Sequence, residues 1–395
     1  MILTKKQEEG LKIALSRFYD GEKYTVISGY AGTGKSTLVR FIIEAIGMDE
    51  DEICFATYTG KAAQVLEKKG NKNVGTLHKL LYKAVPLPNG SFKFIPKADI
   101  GYSLVIVDEV SMAPKTLMNL LFSHRGVHII CLGDPFQLPT IDANEDNGLL
   151  QNPHIFLDEI MRQAKDSEII QLSMNIRNYQ PLTAFNGKDV KVIPKNTIST
   201  GMMKWADQIL VATNKTRIDY NKIMRELYEK DSPYPQEGDK LICLRNYWDD
   251  IALNDKSCLI NGTIGYLHNP FQSKHYLPTY LGAGPDIDVT YGTFISDSGG
   301  EFNGLALDTH MIQTGEKCVS PQVAFKLNKN PKTQGIVPYE FTYGYAITGH
   351  KSQGSEWNNV LAVEESFPFA KIEHARWLYT VVTRAADKLV LGINT

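Results

Sequence analysis

Gly29-Tyr30-Ala31-Gly32-Thr33-Gly34-Lys35-Ser36-Thr37 joins a β-rich run, Tyr24 to Ser28, to a run of helical character beginning at Thr37. The stretch fits G-x-x-x-x-G-K-[ST], and each residue type has a physical reason to be there. Gly29, Gly32 and Gly34 allow backbone conformations closed to other residues. The N–H groups of the loop, through Ala31 and Thr33 to Thr37, can then turn inward onto a polyphosphate. The helix that follows offers its free N–H groups and the positive end of its dipole to the same anion. Lys35 is placed to reach the β- and γ-phosphates as a point charge, and the Ser36 hydroxyl to coordinate Mg²⁺. An incidental Gly-rich turn also fits the bare pattern. The strand before it and the helix after it favour the phosphate cradle.

Working outward, 395 residues exceed one ordinary core and suggest roughly two to four domains. The chain is 43% hydrophobic and 22% charged, which is soluble globular composition, and no apolar run reaches the roughly 18 residues of a membrane span. The N-terminal residues lack the apolar segment of a signal peptide, and the five cysteines, at 54, 131, 243, 258 and 318, form no C-x-x-C pair. Reduced core thiols in a cytoplasmic protein are expected, with neither a zinc site nor a disulfide frame. A net charge of −2 gives no global reason to bind nucleic acid, so any such binding rests on local patches.

Residues 1 to 20 read as an amphipathic helix capped by Thr4, with Leu11, Ile13, Ala14, Leu15 and Phe18 as its apolar side. Gln7 on this helix can make two hydrogen bonds to an adenine edge, or stand as an ordinary surface residue. Ile53 to Thr57 reads as a short buried strand, and Thr59-Gly60-Lys61 opens a second helix, so the strand-turn-helix unit of a parallel α/β sheet repeats. Between Thr57 and Lys83 six lysines stand against one acid, Glu67, interleaved with Tyr58, Thr59, Thr76, His78 and Tyr82. Cations and hydroxyls for phosphates and rings for bases suit a single strand of nucleic acid; a solvated Lys-rich helix face fits equally well. In Leu87-Pro88-Asn89-Gly90-Ser91-Phe92-Lys93-Phe94-Ile95, the Asn-Gly signals a hairpin carrying Phe92 and Phe94 on one face. The rings either wedge against paired bases or pack on their own domain.

Leu104-Val105-Ile106-Val107-Asp108-Glu109 is an apolar strand ending in two carboxylates, at the kind of strand end where α/β sheets place their chemistry. Asp108 is expected to hold Mg²⁺, and Glu109 to orient and deprotonate an attacking water. A further buried strand, Val127 to Leu132, delivers Gly133-Asp134-Pro135-Phe136-Gln137-Leu138-Pro139, with Gln137 placed to sense a γ-phosphate. From about Asn246 to Gln334, strand-like runs such as Val289 to Ile295 and Gln322 to Leu327 alternate with turns, as in a small β-barrel insertion.

Taken together, these stretches resemble the superfamily 1 helicases, in the RecD-like, phage Dda-type (1B) branch. GYAGTGKST resembles motif I, FATYTGKAA motif Ia, VGTLHKLLY motif Ib, VIVDEVSM motif II and GDPFQLP motif III. Phe156 to Gln163 resembles motif IV, Tyr345 to Trp357 motif V, and Leu378 to Ala385 motif VI. The resemblance implies an α/β fold of two RecA-like P-loop motor domains. The first spans 1–175 and carries the hairpin at about 84–100. The second is 176–245 with 336–395, interrupted by an SH3-like β-barrel at 246–335. It implies ATP and Mg²⁺ as cofactors, Arg162 as an arginine finger, and Gly354 and Glu356 on the nucleotide side. Thr348, His350 and Lys351 suit phosphate gripping, though spacing does not say whether they face the strand or the nucleotide. Arg162 and Arg384 read as cations able to reach across a cleft, Arg384 following what reads as a β-type run, Leu378 to Val382. Gly349 replaces a bulky family residue and is expected to loosen a strand contact; Ala386-Asp387 is less basic than in relatives.

The expected protein is a monomer acting on single-stranded DNA and on the junction of single and double strands, moving 5′ to 3′ by resemblance. Single-strand-binding or replication proteins are possible partners, no membrane is involved, and a phage source in a bacterial host suits the Dda-type match. Two alternatives stand beside it, an RNA-directed translocase and a non-unwinding, ATP-gated binding subunit.

Overall fold

The computed structural model describes residues 3–86, 92–140, 142–161, 166–247, 259–276, 286–329, 336–368 and 370–394. In chain order its strands are β1 Tyr24–Gly29, β2 Ile53–Thr57, β3 Val74–Thr76, β4 Tyr82–Pro86, β5 Phe92–Pro96, β6 Leu104–Asp108, β7 His128–Gly133, β8 Ile155–Leu157, β9 Phe185–Asn186 and β10 Val190–Pro194. They continue with β11 Gln208–Val211, β12 Lys240–Cys243, β13 Ile264–His275, β14 Ile287–Ser296, β15 Glu301–Asp308, β16 Phe341–Tyr343, β17 Ala346–Thr348, β18 Trp357–Val363 and β19 Ala385–Ile393.

The chain divides into two compact units, one of Met1–Tyr82, Pro96–Thr216 and Ile347–Thr395, the other of Lys83–Ile95 and Arg217–Ala346. The first unit holds two six-stranded sheets, ordered β3-β2-β6-β7-β1-β8 and β17-β11-β18-β19-β10-β9. In the first sheet β2, β3, β6, β7, β1 and β8 pair in parallel. A parallel sheet needs cover on both faces, and alternating side chains supply it. Leu104 and Ile106 of β6 join Ala14, Leu38 and Ile42 in one buried cluster, while Val105 and Val107 join Leu77, Leu81, Leu117 and Met118 in the other. In the second sheet β10, β18 and β19 run parallel, with β9 as a short antiparallel edge.

The N-terminal helix, Lys5–Tyr19, starts at Thr4 in a capping box closed by Gln7. Its seating is less apolar than its sequence suggests: Gln7, Gly10 and Ala14 are the buried residues, and Ile13 is exposed.

The second unit carries a five-stranded antiparallel sheet, β15-β14-β13-β12-β16, and the two-stranded hairpin β4-β5. This sheet extends beyond 246–335 at both ends, because Lys240–Cys243 and Phe341–Tyr343 pair with each other inside it. Two local expectations are corrected. Gln322 to Leu327 lies in a helix, Pro321–Lys329, and Leu378 to Val382 closes a helix, Lys371–Val382. The second fooled strand propensity because Leu378 to Val382 is buried on every side and shows no amphipathic period. No helix among the described residues is long and apolar enough to cross a membrane.

Candidate active site

Three neighbouring strands of the first sheet, β6, β7 and β1, deliver Asp108 and Glu109, the 134–138 loop, and the phosphate loop to one edge. The carboxyl ends of parallel strands are where such sheets bind ligands. In the phosphate loop Gly34 has φ +78°, and a Cβ there would lie 2.4 Å from both Gln7 Nε2 and Met161 Sδ. Gly29 is needed for a different reason, since its Cβ would stand 2.8 Å from the Leu157 carbonyl oxygen. The Lys35 ammonium donates to the Gly29 and Tyr30 carbonyls, at 2.7 and 3.1 Å. Thr33 donates its hydroxyl to the Tyr30 carbonyl, at 2.8 Å. The helix Lys35–Ile46 begins at this lysine, so Ser36 and Thr37 lie in its first turn.

Ser36, Asp108, Glu109, Gly354, Glu356 and Arg384 line one pocket. Withdrawal from water and the charge of Glu109 push the Asp108 carboxyl up to about 6, against the opposing pull of the Glu109 N–H, Lys35 and Lys69. A carboxylate charged at such a cost suits a cation held between it and Ser36. Among the described residues no group of three or more His, Cys, Asp or Glu could hold a metal by itself, so a Mg²⁺ here would share its coordination with phosphate.

Glu109 has φ 53° and ψ 44°, a left-handed conformation uncommon outside glycine. Gln137 stands between it and Arg384. With the amide oriented as its neighbours require, nitrogen donates to Glu109 Oε2 at 3.0 Å and oxygen accepts from Arg384 Nη2 at 3.1 Å. Arg384 is buried, 6% exposed, and donates to the carbonyls of Thr380 and Ser355. It therefore faces the phosphate-loop side of the pocket rather than bulk solvent. Gly354 turns at φ +71° with its Cβ position 2.8 Å from Ala62 Cβ, and Glu356 is exposed and paired with Lys69 at 3.7 Å.

Gln7 is buried rather than superficial. Its Oε1 accepts from the Thr4 N–H, and its Nε2 lies 3.3 Å from the Thr33 and Gly34 carbonyls, so the amide already serves the phosphate loop. Arg162 falls outside the described residues. The strand before it, β8, belongs to the first sheet, and the Met161 N–H bonds the Gly32 carbonyl at 3.0 Å, so this segment runs beside the phosphate loop. Sequence reasoning assigned no part to Arg177, whose guanidinium lies 3.6 Å from the Tyr30 ring centroid, or to Tyr379, Thr380 and Gln353, which bond the phosphate loop and the 134–138 loop. A strand reading of 378–382 hid the helical spacing that aligns Tyr379, Thr380 and Arg384.

The residues expected to meet nucleic acid fall into separate groups. Tyr58 and His78 have ring centroids 5.8 Å apart and His78 and Tyr82 6.3 Å, making a row of rings beyond β2 and β3. Thr59 and Thr76 cap the helices Gly60–Lys68 and Leu77–Leu81, and Lys61 lies in the first of these. Thr348 precedes the short helix Gly349–Ser352, which holds His350 and an exposed Lys351. Burial lowers the pKa of both His78 and His350, so they act as neutral rings rather than as cations at neutral pH. Phe94 is exposed at 55%, whereas the Phe92 side chain and the hairpin tip lie outside the described residues.

A Cβ at Gly349 would stand 2.6 Å from Trp377 Nε1, so the indole fills the space a larger residue would take.

Two largely parallel sheets, with a phosphate loop, an adjacent Asp-Glu and a buried arginine gathered at one pocket, define an α/β fold of the RecA-like class with a nucleotide-sized site. The AAA domain family matches residues 3–190 and the UvrD-like helicase C-terminal domain family residues 343–391. Both matches agree with the resemblance of this chain to the superfamily 1 helicases of the RecD-like, Dda-type branch. It is 25% identical to the ATP-dependent RecD2 DNA helicase of Deinococcus radiodurans over 98% of its own length and 49% of that protein's, so it spans about half of that relative. It is 26% identical to the ATP-dependent DNA helicase dda of Enterobacteria phage T4, over 59% of each chain. Among solved structures, Bacteroides Pif1 with ADP-AlF3 and single-stranded DNA is similar in fold, at TM-score 0.53 and 18% identity over 100% of this chain and 93% of that one.

Proposed function

We propose that the protein hydrolyses ATP and uses the cycle to travel along single-stranded DNA, 5′ to 3′, separating the duplex ahead as a monomer. The observation that carries this is the bridge Glu109–Gln137–Arg384 beside the phosphate loop, which ties the candidate base to a buried cation through one amide. Glu109 would take a proton from the attacking water as its oxygen bonds the γ-phosphorus, and the bond to the ADP oxygen breaks. Lys35 and Arg384 would offset the charge that develops, with Arg162 as a further cation. Ser36 and Asp108 would hold Mg²⁺, which supplies further charge neutralisation when bound. Reading an adenine with Gln7 requires it to release its bonds to the phosphate loop.

Cations, rings and a hydroxyl at Tyr58, Lys61, His78, Thr348 and Lys351 would grip the strand, and Phe92 and Phe94 would meet the junction. The five-stranded antiparallel sheet would be the SH3-like insertion. Relatives named as ATP-dependent DNA helicases, and Pif1 structures with single-stranded or forked DNA, support this reading. The test is ATP hydrolysis with and without DNA or RNA oligonucleotides, then unwinding of duplexes tailed at either end. Stimulation by DNA and opening of 5′-tailed duplexes are expected. Absence of strand displacement would reduce the protein to an ATP-gated binding module.

A further inference from the structure

Tyr379 is 1% exposed, and its hydroxyl lies between two loops of the first sheet. The Ala31 N–H of the phosphate loop donates to Tyr379 Oη at 2.8 Å, and the hydroxyl donates to Asp134 Oδ2 at 2.5 Å. The other oxygen of Asp134 accepts from the Phe136 N–H at 2.9 Å, and the Phe136 ring meets the Tyr379 ring edge-to-face at 5.3 Å. The next residue, Thr380, accepts from the Leu138 N–H at 3.0 Å and gives its own carbonyl to Arg384 Nε at 3.1 Å. One helix end thus touches the phosphate loop, the loop that carries Gln137, and Arg384.

We propose that Tyr379 is a positioning residue whose hydroxyl, aimed by Asp134, links occupation of the phosphate loop to the placement of Arg384. A phenol can accept from Ala31 and donate to Asp134 at the same time, which fixes the rotation of its hydroxyl; a phenylalanine ring could do neither. The Ala31 N–H belongs to the loop that wraps the phosphates, so a phosphate oxygen competes with Tyr379 for it. Winning that competition leaves the hydroxyl to Asp134 alone and frees the helix end to adjust. Burial raises the pKa of both Tyr379 and Asp134, in keeping with a bond sealed from water.

The inference rests on the ATPase reading above. Tyr379→Phe should lower kcat about tenfold or more by misplacing Arg384, while affinity for a fluorescent ATP analogue holds within about threefold or tightens. Asp134→Asn should move kcat in the same direction and serves if Tyr379→Phe does not fold. Combined with Arg384→Ala, Tyr379→Phe should add less than about twofold, because both act at one point. Turnover within about twofold of wild type, parallel loss of turnover and nucleotide binding, or multiplicative losses in the double variant would overturn the inference while leaving the ATPase intact. A wild-type chain without ATPase would remove the function itself, and this inference with it.

Discussion

At the scale of single residues, the site depends on charges held where water cannot easily screen them. Lys35→Ala should reduce turnover on the order of a thousandfold, measured by phosphate release, because it removes a positioned charge donor. Glu109→Gln should abolish hydrolysis yet leave nucleotide affinity largely intact, and retained turnover would take Glu109 out of the base role. Asp108 makes a prediction in pH. Its carboxyl keeps a proton in the folded chain up to about pH 6, well above an unfolded aspartate. Without nucleotide, the Asp108 contribution to stability should therefore fall as pH rises from roughly 4 to 6, since the unfolded chain gives up the proton first. Mg²⁺-nucleotide needs the charged form, so its thermal stabilisation should be larger at pH 8 than at pH 5.5. Asp108→Asn should flatten the stability profile; an unchanged slope would place the titration elsewhere.

The informative element is the helix Lys371–Val382. Trp377 from this helix occupies the space beside Gly349, and Tyr379 and Thr380 reach the loops of the first sheet. Gly349→Leu should destabilise the protein by about 1–3 kcal/mol in urea, as overpacking against a buried indole does. Adding Trp377→Ala should recover part of that loss, and independent effects would show that the two residues do not share the space. The helix was hidden in the sequence because residues 375 and 377–382 are all buried and include β-branched Thr380, Val381 and Val382. By contrast β6 was legible from a run of apolar residues bounded by two acids, and the phosphate loop from its glycine spacing.

At the scale of the molecule, a chain of net charge −2 must hold nucleic acid through local patches. Strand affinity should fall steeply with salt, with a slope of about 0.7 per phosphate contacted, and a flat response would argue against phosphate gripping. Local chemistry in the sequence determined the phosphate loop, the strand that leads into Asp108 and Glu109, the repeating strand-helix units and the pairing of β4 with β5, since each depends on residues near one another in the chain. Only tertiary structure decided that Gln137 joins Glu109 to Arg384, that Gln7 serves the phosphate loop, that 240–243 and 341–343 share one antiparallel sheet, and that Gly349 yields to Trp377. Gln7 and Gly34, Glu109 and Gln137, and Gly349 and Trp377 stand fewer than thirty positions apart, the two strands about a hundred, and Gln137 and Arg384 more than two hundred, yet none of them carries a mark of its pairing in the sequence. Packing, which only the folded chain possesses, makes those choices.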